Sequence, residues 1–303
     1  SEKGNVKSEL TGYMNDYYRL LWPRVQQAVG EDILDLPERL KTISNIELKD
    51  IREHYRRTHT AANMRFIIVG RIKHRKRRII KMLESWDLKE GTLLDFPKDE
   101  LHPADAVLVR RKDASNITFG FSYVVPRRMN ERESCAMDFL NHIVTGTMSS
   151  RIFGKARKRG LVYGMGSCLT NSAHNSSWDF DGEVNLESAD ELFELINHEL
   201  TRLIKGDISD TEIEAARAYN LGRYQIGAQT TSQLSDYYAE TYFVNGRIDD
   251  YDHADSLINS ITKEDIVNLA KEFISSSISA LVAVGSCEKA VITTLSEKLK
   301  IVL

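Results

Sequence analysis

The chain is short of the features that would assign it at sight. Its three cysteines, Cys135, Cys168 and Cys287, are odd in number and far apart, and no Cys-x-x-Cys pair occurs among its 303 residues. That argues against a disulfide framework and a thiolate zinc site, so buried free thiols are expected. No apolar run approaches the roughly 20 residues that a membrane-spanning helix needs. No secretory signal opens the sequence, and the expected location is cytoplasmic. A net charge of −3 gives no general attraction to nucleic acid or to an anionic membrane. One basic run, His74-Arg75-Lys76-Arg77-Arg78, reads as a solvated helix face, with an anion-binding patch as the alternative.

Motifs are scarce too. The chain contains no Gly-x-Gly-x-x-Gly, no phosphate-binding Gly-Lys-Ser/Thr and no Gly-x-Ser-x-Gly. Its eight histidines include no two at the three- or four-residue helical spacing that puts two imidazoles on one metal. His198-Glu199 is a fragment of such a pattern, but Arg202 stands where a second histidine would be needed. Composition and spacing alone supply no complete catalytic constellation.

What the chain does have is an internal repeat. Ile46-Glu47-Leu48-Lys49-Asp50-Ile51 opens a helical run, followed by Phe66-Ile67-Ile68-Val69 and Gly70. The order returns at Ile261-Thr262-Lys263-Glu264-Asp265-Ile266, with Leu281-Val282-Ala283-Val284 and Gly285 after it. The offset is 215 residues at both ends, 46 to 261 and 70 to 285. A conserved order of helix, strand, glycine and helix points to a duplicated unit. Only 45 residues precede Ile46, whereas 190 separate Gly70 from Ile261, so the first copy is expected to be truncated in its N-terminal half.

Taken in order, residues 3–29 carry an apolar stripe (Val6, Leu10, Tyr13, Tyr17, Leu21) at helical spacing, with a kink or break expected at Pro23. Short helices are expected at 37–43 and 47–57, a strand at 64–70 and a helix at 75–85. Residues 87–104 have the composition of a linker. Beyond it the pattern gives strands at 106–110 and 116–125, helices at 131–145 and 149–158, and a hairpin of 163–171 with 177–186. Helices follow at 189–205, 210–225 and 230–244, then the second copy of the repeat and a last helix at 289–300. Runs of strands followed by runs of helices indicate α+β with mainly antiparallel sheets. The expected division is 1–86, a linker at 87–104, and 105–303 as a complete second repeat. A cleft between two such halves is the natural site.

Two stretches resemble a known family. Ser1-Glu2-Lys3-Gly4-Asn5-Val6-Lys7-Ser8-Glu9, continuing through Met14-Asn15-Asp16-Tyr17-Tyr18-Arg19, is similar to the helix that carries the third zinc ligand in the pitrilysin/insulysin/mitochondrial-processing-peptidase metallopeptidases. Ser149-Ser150-Arg151-Ile152-Phe153, through Arg159-Gly160-Leu161-Val162-Tyr163, resembles that family's signature in its second repeat. The resemblance implies a duplicated metallopeptidase-type fold that cleaves peptides between its two repeats. It also implies Zn2+, bound by an inverted His-x-x-Glu-His helix whose Glu is the general base. A Glu about 75 residues downstream completes that site, and by motif position it is Glu9. Glu2 would orient a zinc-bound His from behind it. Tyr163 and an arginine would stabilise charge on the substrate carbonyl. The stretch before Gly160 is one residue short of the usual pattern, so Arg157 is the first choice and Arg159 the second; strict counting lands on Ala156.

No His-x-x-Glu-His occurs in this chain. The resemblance therefore implies the C-terminal part of a zinc endopeptidase, inactive alone, whose missing segment or partner subunit makes a homo- or heterodimer. The alternative is a non-catalytic peptide-binding or scaffolding subunit, against which the presence of Glu9 and Glu2 argues.

Overall fold

A computed structural model describes residues 2–246, 248, 251 and 253–301, and at 244 and 245 the backbone alone. Five helices come first: α1 (Glu2–Tyr13), α2 (Tyr17–Ala28), α3 (Leu36–Asn45), α4 (Leu48–Thr58) and α5 (Lys76–Glu84). Next are β1 (Val107–Arg110), β2 (Ile117–Val125), α6 (Glu131–Val144), α7 (Phe153–Lys158), β3 (Val162–Asn171) and β4 (Ser176–Val184). Helices α8 (Leu186–Ile204), α9 (Asp210–Gly227), α10 (Thr231–Asn245), α11 (His253–Ser260) and α12 (Lys263–Ser275) lead to β5 (Ile278–Gly285) and α13 (Lys289–Lys298).

The protein is α+β. Its five-stranded sheet runs β1-β5-β2-β4-β3, parallel only at β1–β5 and antiparallel elsewhere. Strand β2, rich in β-branched and aromatic residues, is buried at all nine positions. Alternation sorts its side chains to two faces. Phe119, Phe121 and Tyr123 join Trp178 and Phe180 of β4 in an aromatic layer, reached by Phe193 of α8 and Phe273 of α12. On the opposite face, Val124 of β2 and Ala280, Val282 and Val284 of β5 pack against Leu20, Leu21, Val25 and Ala28 of α2. Both faces of the central strands are therefore covered, which is where most of the apolar stabilisation lies.

The expected helix over residues 3–29 is broken, but not at Pro23. The break falls at residues 14–16, where Asp16 accepts a bond from the Arg19 amide at 3.2 Å and starts a new helix. Pro23 lies inside α2; the one backbone bond it forgoes is outweighed by the buried face on either side of it. Gly30 follows that helix at φ +93°, and a Cβ there would lie 2.2 Å from the Glu100 carbonyl oxygen. Gly30→Ala is expected to destabilise the fold by about 2–3 kcal/mol, left-handed strain adding to the backbone clash. A urea midpoint unchanged from the parent chain would contradict this.

The duplication is visible in the helices. Asp50 closes the start of α4 by accepting the Glu47 amide at 2.7 Å. Asp265, at the 215-residue offset, does the same for α12 through the Thr262 amide at 2.8 Å. The strand expected at 64–70 is not formed: residues 64–69 belong to no helix or sheet among the described residues. A strand exists only by pairing, and its counterpart β5 has a neighbour on each side.

The residues fall into two units, one of 1–43, 98–220 and 257–303, the other of 44–97 and 221–256. Residues 87–97 of the expected linker fall in the second unit and 98–104 in the first. The division crosses the repeat in a regular way. At the 215-residue offset, α2 corresponds to 232–243 of α10, and each packs with the repeat that is not its own. Helix α2 lies on β5, while α10 presents Ala239 and Phe243 to Met64 and Ile67.

All three cysteines are free; Cys135 and Cys287 are buried. Cys168 is exposed, against expectation, because β3 is the outer strand of the sheet. No described helix is long and apolar enough to cross a membrane.

Candidate functional site

The signature around Gly160 builds a compact turn. Helix α7 ends when the Leu161 amide reaches back to the Ala156 carbonyl at 2.9 Å and the Gly160 amide to that of Arg157 at 3.1 Å. This double bond pattern needs a left-handed residue between helix and strand, and Gly160 supplies it at φ +73°. The turn aims β3 back past the end of α7, so that Tyr163 meets Arg157. The Arg157 guanidinium carbon lies 4.4 Å from the Tyr163 ring centre, and its Nη1 donates to the Val162 carbonyl at 3.4 Å. Tyr163 is 84% exposed, so its hydroxyl is available to a ligand.

The neighbouring residues are committed elsewhere. Arg159 pairs with Glu191 at 3.4 Å. Ala156 is fully buried and presents nothing to a substrate. Of the arginines weighed from the sequence, Arg157 is the one beside Tyr163, and the missing residue has not separated them.

Glu9 and Glu2 lie on α1, which buries none of its residues. The Tyr13 hydroxyl donates to Glu9 Oε1, and that bond, more than burial, pushes the Tyr13 pKa up. Arg19 stacks over the Tyr13 ring at 3.6 Å. Glu2 accepts a long bond of 3.4 Å from Asn5. No hydrogen bond or ion pair joins either carboxylate to Tyr163 or Arg157 among the described residues. Among those residues no three His, Cys, Asp or Glu side chains are grouped to hold a metal ion. The residues present therefore do not fit zinc by themselves: Glu9 offers one carboxylate, and a zinc site needs three or four donors. The His198-Glu199 fragment is not a ligand pair, since the buried Glu199 takes Lys155 at 2.5 Å and Arg202 at 3.2 Å.

Two arrangements escaped the sequence reading. Arg151 of the Ser149-Ser150-Arg151 stretch is buried and grips Glu212 at the start of α9 through Nε and Nη2, at 2.5 and 2.6 Å, so it braces the fold. Second, a cavity of about 230 Å³ lies between α2 and the sheet, with Trp22, Gln26, Glu31 and Asp179 in its wall. Burial pushes the Asp179 pKa up, although Ser122, Thr170 and Ser177 all donate to its carboxylate at 2.6–2.8 Å. The only signal in the sequence was polar residues at alternate positions, Ser177, Asp179 and Asp181, between the aromatics of β4.

A family model described as the peptidase M16 inactive domain matches residues 45–220. No curated protein matches the sequence. Among solved structures, a protease from Helicobacter pylori superposes with a TM-score of 0.68 at 18% identity, over 81% of this chain and 60% of that one. A chain of complex III2 from Candida albicans, bound to Inz-5, gives 0.80 at 12%, over 98% and 74%. The peptidase M16 inactive domain from Pseudomonas fluorescens gives 0.77 at 15%, over 95% and 71%. This chain thus spans less than two thirds of the Helicobacter pylori protease, and identities this low speak for fold alone. The family match covers more than half of the chain, which therefore belongs to the peptidase M16 family, through its inactive domain.

Proposed function

We propose that this chain is the C-terminal part of a zinc-dependent endopeptidase, acting on peptides or proteins between two repeats and inactive without a segment that carries His-x-x-Glu-His. The observation behind this reading is the Tyr163–Arg157 pair at the turn into β3. A hydroxyl and a guanidinium side by side offer two donors, one of them charged, to a single peptide carbonyl oxygen. Such donors favour the state in which that oxygen gains charge. Glu9, exposed on α1, would be this chain's one ligand to zinc, and Glu2 would steady a ligand from another segment. Zinc would supply the electrophile and the activated water; this chain supplies the carbonyl's donors and one carboxylate. The expected location is cytoplasmic, to be tested by cell fractionation.

The test uses the natural assembly containing this chain, as homo- or heterodimer or within a longer polypeptide. It should cleave peptides, and cleavage should stop on chelation. Glu9→Gln should lower zinc content at a fixed free-zinc level by at least about 10-fold. Wild-type zinc content in Glu9→Gln would remove the ligand assignment.

One observation favours a second reading. The family model matched is that of the inactive domain, and it starts after Glu9. On that reading the chain is a non-catalytic peptide-binding or scaffolding subunit. It would bind peptides in the assembly without chelator-sensitive cleavage.

A further inference from the structure

The cavity between α2 and the sheet has no part in the chemistry assigned to Tyr163 and Arg157. It holds about 230 Å³, more than the roughly 150 Å³ that accepts a molecule the size of benzene. Its depth is legible in the strands around it. Cys168 and Thr170, on the outer strand β3, are exposed and mark the mouth. Ser122 of β2 with Ser177 and Asp179 of β4 are buried and form the floor. The side facing α2 is apolar, with buried Val25 and Val29 and the indole of Trp22.

The wall carries charge of one sign only. Asp179 and Glu31 bring two carboxylates to it, and no Lys, Arg or His lines it among the described residues. Nor does any ion pair reach either carboxylate among those residues. Asp179 is only 7% exposed. Ser122, Thr170 and Ser177 satisfy its hydrogen bonding, but hydroxyls do not cancel a charge. Gln26 fixes Glu31 by donating to its Oε2 at 2.8 Å. Burial pushes both carboxyl pKa values up, and at Glu31 the negative charges of Asp99 and Asp179 add to burial. A buried carboxylate without a cation is costly, and it is neutralised by a proton or by a positive group. Open space beside these two leaves room for the positive group.

We propose that this cavity binds a small organic cation, a primary ammonium on a short carbon stem. Its ammonium group lies between Glu31 and Asp179, where the face of Trp22 adds its own attraction for a cation. The stem lies on Val25 and Val29. A bare metal ion suits the cavity less, because no three His, Cys, Asp or Glu side chains are grouped to hold one among the described residues. Tyr163 stands at the start of β3, and Cys168 and Thr170 lie further along it, so the proposal does not depend on the peptidase reading.

Calorimetric titration of the 303-residue chain with n-butylammonium chloride near neutral pH tests the idea, with n-butanol as the neutral control of equal size. The ammonium should bind with a Kd of about 1 mM or tighter and shift the indole emission. Butanol should bind at least about 30-fold more weakly, since it leaves the carboxylates unpaired. Glu31→Gln should weaken ammonium binding by at least about 10-fold with no loss of melting temperature. Trp22→Leu should weaken it by at least about 5-fold and remove the emission change. No binding at about 20 mM butylammonium, equal affinity for butanol, or parent-like affinity in Glu31→Gln would each overturn the proposal. Binding of Nα-acetyl-lysine methylamide as tightly as butylammonium would overturn the free-amine assignment and give the cavity to a lysine side chain of a peptide.

Discussion

Glu212→Gln is expected to cost about 3 kcal/mol of stability, more than a typical substitution at a partly exposed position. The reason lies in its partner. Arg151 is buried, with two of its nitrogens on Glu212 and Nη1 enclosed without a hydrogen-bond partner among the described residues. Removing the carboxylate charge leaves a guanidinium in a dry site, and breaking such a pair costs about 3–5 kcal/mol. The lower end applies because Glu212 itself is 31% exposed. Burial pushes the Glu212 carboxyl up, but the Arg151 guanidinium and the Ser209 amide and hydroxyl outweigh burial and hold its pKa at about 2, against an ordinary 4.5. A folded-state pKa below the unfolded one means that the stabilisation is fully present above about pH 4.5 and is lost as pH falls toward 2. Urea midpoints between pH 7 and pH 2.5 should therefore fall less steeply in Glu212→Gln than in the parent chain. Replacing both partners, Arg151→Met with Glu212→Leu, should return most of the loss, since apolar residues of similar volume carry no buried charge. A single variant costing under about 1 kcal/mol would show that Arg151 is satisfied without its carboxylate.

The same stretch shows what the sequence could and could not reveal. Helix α12, β2 and the β3–β4 hairpin were legible because their side-chain periods are imposed by burial on a complete sheet. The stretch 64–69 carries an equally strong strand pattern and forms no strand, since pattern specifies a face and only a neighbour supplies a ladder. The break at Asp16 was hidden because Pro23 is the louder signal; a cap that begins a new helix outweighed a proline that the next helix tolerates. Arg151 was read as part of a signature, and its partner is 61 residues away, a distance that no local spacing encodes. The cavity beside Asp179 was invisible for a similar reason. Serines and threonines on neighbouring strands read as ordinary strand residues until the register brings Ser122, Thr170 and Ser177 onto one carboxylate. That Arg157, and not Arg159, lies beside Tyr163 could not be read from spacing, because counting residues ignores how a left-handed glycine folds the helix end back on the strand.

That geometry sets the largest expected effect on activity. In the natural assembly, Tyr163→Phe should lower kcat by about 100- to 1,000-fold, the usual cost of one donor to a carbonyl oxygen that gains charge only during reaction. KM should move little, because the ground-state carbonyl needs the hydroxyl much less. Stability should not change, since the Tyr163 hydroxyl makes no hydrogen bond among the described residues and the ring is 84% exposed. Arg157→Gln should resemble Tyr163→Phe, and the two together should lose less than the product of the single losses, because the arginine also holds the ring in place by stacking. Arg159→Gln is the internal control: its guanidinium belongs to Glu191, and kcat should stay within about 3-fold of the parent. Should Tyr163→Phe keep its parent's kcat while Arg159→Gln loses activity, the donors would have been assigned to the wrong side of the turn, and the exposed tyrosine would be a strand residue with no part in the chemistry.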